Sequence, residues 1–356
     1  MKKRYIIAIV LTVLAVFSAG CTASPDDSTE SQTRVFTDSA GREVIIPQDL
    51  GAVAPTGPLS QTILFMACPD HLVGISVDFP EESAGYIPDR YRHLPKFGQF
   101  YGKNVSMNLE ALVLAAPDVI VDIGEAKENI VSDMDELQQQ LGIPVVFIEA
   151  TLDTMEETFL LLGELTGDKH RSERLAAYCK SAIEQADAIR GSIGVEDMVS
   201  VYIAMGENGL STNARYSFHA DVPQRVGAVN VADVEASALG GGSLVSFEQV
   251  MLWNPQVILV DSVKLYEALN SDPLWRQVEA VRTGKVYKIP SIPYNFMTNP
   301  PAANRILGIK WLGALLYPEL YGADLEDQVR SFFEEFYSIE LTDEQYREVM
   351  LYSSDQ

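Results

Sequence analysis

Three cysteines in 356 residues are too few for a disulfide framework. Cys68, in "FMACPD", and Cys179, in the helix-like "LAAYCKSAI", read as small buried apolar side chains. The four histidines, His71, His93, His170 and His219, lie far apart and none shows ligand spacing. That argues against a His cluster coordinating a bare transition metal. Basic residues are also scarce, with 26 Lys+Arg against 50 Asp+Glu and a net charge of −24. Such a chain repels nucleic acid. It leaves a small charged ligand open, because a local site can oppose the global sign. Catalytic signatures are missing as well. "GGGS" at 240–243 lacks the Lys-Ser/Thr that follows the glycines of a phosphate loop. No nucleophile elbow, paired metal motif or Ser/His/Asp order is visible, so a lipid-anchored enzyme is the disfavoured alternative. No apolar run reaches the roughly 20 residues of a spanning helix.

What is present begins with a short apolar run. Lys2, Lys3 and Arg4 precede an apolar stretch from Tyr5 to Phe17, and "SAGC" closes it at Cys21. This is the layout of a secretory signal. The small residues before Cys21 resemble the lipobox of bacterial lipoproteins, although Ser18 stands where Leu is commoner. The resemblance implies removal of residues 1–20, lipidation of Cys21, and a place outside the cytoplasm on a membrane by the lipid anchor. "TASPDDSTESQT" then forms a polar, flexible tether, assigned to 21–33. Loss of Lys2, Lys3 and Arg4 leaves 23 basic against 50 acidic residues, a net charge of −27.

The remaining length suits two domains. "RVFTDSAGREVIIP" reads as two short strands around an Ala-Gly turn. "GAVAP", "HLVGISV", Val119–Ile123 and "IPVVFIE" read as strands, with helices from "GPLSQTILFMAC" and near Glu128–Leu141 between them. Such alternation predicts a parallel-type sheet with helices on its faces, hence an α/β lobe over 34–150. Residues 151–192 are predicted as a helical linker, in which Lys169–Arg190 forms one helix about 30 Å long. Strand–helix alternation resumes over 193–300, the second α/β lobe, and 301–356 is predicted as a helical tail packing on that C-terminal lobe. The two lobes are thus joined by one long α-helix.

One element occurs twice. "NLEALVLAAPDVIV" (Asn108–Val121) and "SFEQVMLWNPQVIL" (Ser246–Leu259) match at five of fourteen positions at an offset of 138. Asn108 and Ser246 are good N-caps. Glu110 and Glu248 then fall at the second helical position, where an acid complements the helix dipole. That role would explain any acid in the turn, but not the same acid at the same step of two separated units. With these residues the chain resembles the solute-binding lipoproteins of ABC importers that carry iron–siderophores, haem and cobalamin. The family pattern N/S-x-E-x₆-P-(D)-x-V/I maps onto Asn108–Ile120 and Ser246–Ile258, with Gln256 where Asp is frequent. "DSAGREVIIP", "LVGIS" and "GKVYKIPSIPYN" add to the likeness, which covers about residues 34–318.

The resemblance implies two lobes around a ligand cleft, with Glu110 and Glu248 docking on an ABC permease dimer. It implies a monomer that is no enzyme, holds no cofactor or metal of its own, and carries a ferric chelate, with iron–siderophore leading and haem or cobalamin next. In open parallel sheets ligands bind beyond the carboxyl ends of strands, which nominates loop residues. Tyr101, Tyr216 and Tyr294 would stack on or hydrogen-bond a chelate, and Lys103, Arg215 and Arg305 would neutralise an anion. Asn295 lies in the same loop as Tyr294, and His219 would ligate a chelated iron axially. The competing ligand is an oxyanion such as molybdate or tungstate, held by helix N-termini, Arg and hydroxyls.

Overall fold

The computed structural model describes residues 32–101, 105–237, 242–322 and 324–354; the signal segment, Cys21 and Lys103 lie outside them. The described chain opens with an antiparallel hairpin, β1 (Thr33–Thr37) and β2 (Glu43–Pro47), where two strands were expected. Asp38 closes its turn by accepting from the Ala40 and Arg42 amides at 3.0 and 2.9 Å.

The N-terminal lobe is a parallel sheet in the order β3 (Val53–Pro55), β4 (Val119–Gly124), β5 (Val145–Glu149). Around it lie α1 (Pro58–Ala67), α2 (Asp89–Arg92), α3 (Leu109–Ala115), α4 (Ile130–Leu141) and α5 (Met155–Thr166). The expected strand "HLVGISV" touches its neighbours only at isolated bridges, Leu72 to Val53 and Ile75 to Lys96. Between them the Phe97 ring fills the space that a Cβ on Gly74 would need, so this stretch gives way to packing.

Helix α6 (Lys169–Arg190) covers the predicted long-helix span, capped by Asp168, which accepts from the Arg171 amide. Arg171 reaches off the helix to donate to the carbonyls of Met66 (2.8 Å) and Phe336 (3.3 Å). The C-terminal lobe follows as four parallel strands in the order β11 (Val286–Lys288), β10 (Val257–Val260), β6 (Ser200–Ala204), β8 (Val229–Asn230). A small antiparallel pair, β7 (Ser211–Thr212) with β9 (Ser243–Leu244), joins the end of β6 through Met205, which exchanges backbone hydrogen bonds with Ser211 at 2.8 and 3.3 Å. The lobe's helices are α7 (Asp221–Arg225), α8 (Phe247–Trp253), α9 (Val263–Ser271) and α10 (Glu279–Arg282). The interior strands β4 and β10 are buried almost throughout, which explains their unbroken apolar runs.

The tail corrects one expectation. It comprises α11 (Asn304–Leu316), α12 (Pro318–Tyr321), α13 (Leu325–Phe332), a π-helical turn at Phe333–Tyr337 and α14 (Asp343–Val349). It is anchored to the C-terminal lobe, where Trp311 donates to the Ser353 carbonyl (2.8 Å) and Ser353 to that of Lys288 (2.7 Å). It also packs on the N-terminal lobe. Phe333 meets Tyr86 at 6.1 Å, Phe336 meets Phe159 at 5.8 Å, and the Tyr86 hydroxyl donates to Glu348 at 2.8 Å. The aromatic run "FFEEFY" has more apolar surface than one lobe covers, and one buried cluster therefore runs from the hairpin through α1, α5 and α6 into the second sheet and the tail.

Candidate functional site

Helices α3 and α8 are seven residues each and are built alike. Asn108 accepts from the Ala111 amide and Ser246 from the Gln249 amide. Each helix ends in a left-handed residue, Ala116 (φ 45°) and Asn254 (φ 42°), which turns the chain into β4 and β10. That geometry suits Asn and is uncommon for Ala. Glu110 and Glu248 stand at the second helical position with exposed side chains. Glu248 is held below the usual carboxylate range by its own backbone amide and the Ser246 hydroxyl. Next to each Pro, an acceptor pins the adjacent strand. Asp118 accepts from the Gly51 and Ala52 amides (2.8 and 2.9 Å), and Gln256 from the Ser200 amide (2.8 Å). Gln256 thus performs the same task as Asp118. Two acceptors at one repeat position were the available signal for it.

The C-terminal wall of the lobe junction centres on Arg305, in the first turn of α11; its side chain is fully buried and lines neither of the two cavities described below. Its Nη1 donates to Asp221 (2.9 Å) and to the Phe218 carbonyl (3.1 Å), and its guanidinium stacks 4.6 Å from the Phe218 ring centroid. Its Nε and Nη2 are buried with no hydrogen-bond partner among the described residues. Burial pushes the guanidinium down to about 10, so it remains a cation at neutral pH. Asp221 is raised by burial, an effect opposed by Arg305 and Arg225. Glu125, one residue beyond β4, acts electrostatically on both Asp221 and Arg305, which sets this wall against the opposite lobe.

His219 lies beside Phe218, with Nδ1 2.8 Å from the Thr298 carbonyl. A carbonyl only accepts, so Nδ1 carries the hydrogen, and in the neutral ring Nε2 keeps its lone pair. Asn295 holds Thr298 in place by accepting from the Met297 and Thr298 amides, both at 2.8 Å. The loop bearing Asn295 presses onto α11 at Gly308, where a Cβ would come within 2.0 Å of the Phe296 carbonyl oxygen. The structure therefore brings together three candidates, His219, Asn295 and Arg305.

The other candidates disperse. Tyr294 is buried where the lobes meet, 6.2 Å from Phe79 in ring centroids, and its hydroxyl has no partner of good geometry among the described residues. Tyr101 donates to Asp133 (2.6 Å) and lies under the Lys127 ammonium, 2.9 Å from its ring centroid. Arg215 and Tyr216 line a cavity of about 250 Å³ with Arg190 and Asn230, and Arg215 is engaged by Asp233 at 3.2 Å. A neighbouring cavity of about 260 Å³ spans the lobes and is lined by Thr151, Asp153, Arg190, Asp221, Gln224 and Arg225. There Arg225 ties Asp153 of the first lobe to Asp187 of α6.

On the N-terminal wall, Thr56 follows β3 and donates to the buried Asp122, while its hydroxyl lies 3.1 Å from that of Ser60. Burial raises the Asp122 carboxyl, opposed by the Thr56 hydrogen bond and the charge of Lys127. Gly57 caps α1 without a side-chain acceptor, leaving the helix's positive end uncovered by one. Asp221, Thr298 and Asp122 are not singled out by the sequence, because their positions matter through folding partners that lie far off in the chain.

The family model for periplasmic binding proteins matches residues 70–293. The chain belongs to that family. It is 25% identical over 334 residues to the molybdate-binding protein MolA of Haemophilus influenzae, covering 85% of this chain and 91% of the relative. An ABC transporter solute-binding protein from Sulfurospirillum deleyianum superposes with a TM-score of 0.82 at 26% identity, over 89% of this chain and 98% of that one. The molybdate-bound structure of MolA superposes at 0.70 and 21% identity, over 87% and 99%. The expected α/β architecture and family are thereby borne out. Periplasmic binding proteins of this kind deliver small ligands to ABC permeases from outside the cytoplasm. Among the described residues, no helix is long and apolar enough to cross a membrane.

Proposed function

We propose that this periplasmic binding protein captures a small oxyanion of the molybdate or tungstate class at Arg305 and hands it to an ABC permease. The carrying observation is the open edge of that guanidinium. With Nη1 held by Asp221 and Phe218, the Nε–Nη2 edge remains buried and without a hydrogen-bond partner among the described residues. That edge is the one that grips two oxygens of an anion side by side. Leaving it empty costs free energy that an oxyanion would recover. The uncapped start of α1 offers a second positive end from the opposite lobe. The molybdate named for the MolA relative supports the choice.

The ferric chelate favoured by sequence resemblance is the second reading, and His219 is its support, since an Nε2 lone pair with an anchored Nδ1–H is the form that ligates metal. A thermal-shift panel separates the two. Molybdate and tungstate should raise the melting temperature, with ferric siderophores, haem and cobalamin inert; a shift with a chelate and none with the oxyanions would overturn the oxyanion reading.

Delivery uses Glu110 and Glu248 as the two docking acids on the permease dimer. Glu110→Ala combined with Glu248→Ala should depress transport while ligand affinity holds; lost ligand affinity would count against docking. In the same reading Cys21 is the lipid attachment point, the protein acts as a monomer without turnover, and the core shared by the lobes keeps closure small.

A further inference from the structure

The five identities within the repeated element divide by burial. Pro117 and Pro255, Val119 and Val257, and Ile120 and Ile258 are buried, and the helix-to-strand frame accounts for them. The remaining two pairs are exposed: Glu110 with Glu248, and Leu114 with Leu252. Leu114 is 88% exposed and Leu252 79%. A singly exposed leucine needs no explanation. Two at the same step of two diverged copies, each four residues after the repeated acid, do. Residues four apart share one helix face, with Cβ atoms about 5–6 Å apart. Neither leucine contributes to either lobe's buried clusters, where Leu112 and Val250 carry that role from the same helices.

We infer that Leu114 and Leu252 are a second, apolar half of the permease contact, so that each lobe offers a Glu–Leu pair to a cation lying beside an apolar socket. The inference rests on the docking role proposed for Glu110 and Glu248. The occupant is the permease dimer, because a partner with two equal sites is what a surface motif duplicated within one chain matches. A second copy of this chain would also present two such faces, but like acids would then oppose each other across the contact. The division of labour is physical. The acids govern encounter and register, and their contribution weakens with salt. The leucines add salt-insensitive burial that slows dissociation.

The test measures binding of the full-length protein to its permease in lipid nanodiscs, at low and high salt. Leu114→Ser with Leu252→Ser should weaken binding by about tenfold per leucine, through faster dissociation and with an unchanged salt slope. Glu110→Gln with Glu248→Gln should instead flatten the salt slope. Leu114→Met with Leu252→Met should restore binding, and circular dichroism with molybdate titration should show each variant folded and ligand-competent. Wild-type affinity in the serine variant, alongside a weakened glutamine variant, would refute the leucine inference alone. Wild-type affinity in both would refute the docking face itself. A wild-type dimer in sedimentation that the serine variant turns monomeric would assign the leucines to self-association and likewise overturn the inference.

Discussion

The two lobes are alike at their outer helices and unlike at the cleft. At the outer end both use an N-cap, an acid at the second position, a leucine one turn on and a left-handed exit. At the cleft the C-terminal lobe supplies a buried cation and an anchored imidazole, whereas the N-terminal lobe supplies a hydroxyl pair over a buried acid. The central strands mark where likeness stops, since Asp122 of β4 falls at the repeat position of Val260 in β10. The shared fold unit carries the repeated face, and what does not repeat lies at the cleft, where the proposed ligand site is.

The largest effect on stability should come from breaking the likeness behind the outer helices. Asp118 accepts two backbone amides and Gln256 one. Asp118→Ala is therefore expected to cost about 1–2 kcal/mol and Gln256→Ala about 0.5–1 kcal/mol, read from urea unfolding. Gln256→Asp should be close to neutral, and a cost as large as that of Gln256→Ala would break the equivalence.

A smaller effect tests the unlikeness of the central strands. Burial raises Asp122 above its ordinary value, so the folded state holds that proton more tightly than the unfolded chain. Its contribution to stability is present below the unfolded value and falls away as pH rises through the raised one. Asp122→Asn keeps an acceptor for Thr56 and removes that fall. The variant should gain on wild type in thermal melts as pH rises from the ordinary carboxylate range toward neutrality; a gap independent of pH would contradict the assignment.

The smallest effect concerns the acid that faces Arg305 from the opposite lobe. Glu125→Gln should tighten oxyanion binding about two- to fivefold by removing an exposed opposing charge. Weaker binding would place Glu125 among the ligand's partners instead.

The repeated element was legible in the sequence because caps, acid, proline and buried strand sit within fourteen contiguous residues. The long helix was legible for the same reason, as 22 residues without Gly or Pro. The cleft was not. Arg305 is a candidate from the sequence, but its meaning depends on Phe218 and Asp221, which loop geometry brings to it from more than eighty residues away. Tyr294 is a candidate because its loop follows the last strand, and what the sequence does not reveal is that its ring also belongs to the core shared by the lobes. The sequence assigns the tail to one lobe, since nothing in "FFEEFY" names the helices α1 and α5 that it covers.

The central claim is that the open edge of Arg305 grips an oxyanion. Calorimetric titration of molybdate into wild type and Arg305→Lys, side by side, addresses it most directly. Lysine keeps the charge but loses the two-pronged edge. The account predicts one molybdate per wild-type chain and affinity lower by about 100-fold in the variant, a loss of about 2.7 kcal/mol, with both proteins folded. Equal affinity in the two, or no molybdate binding by the wild type, would contradict it.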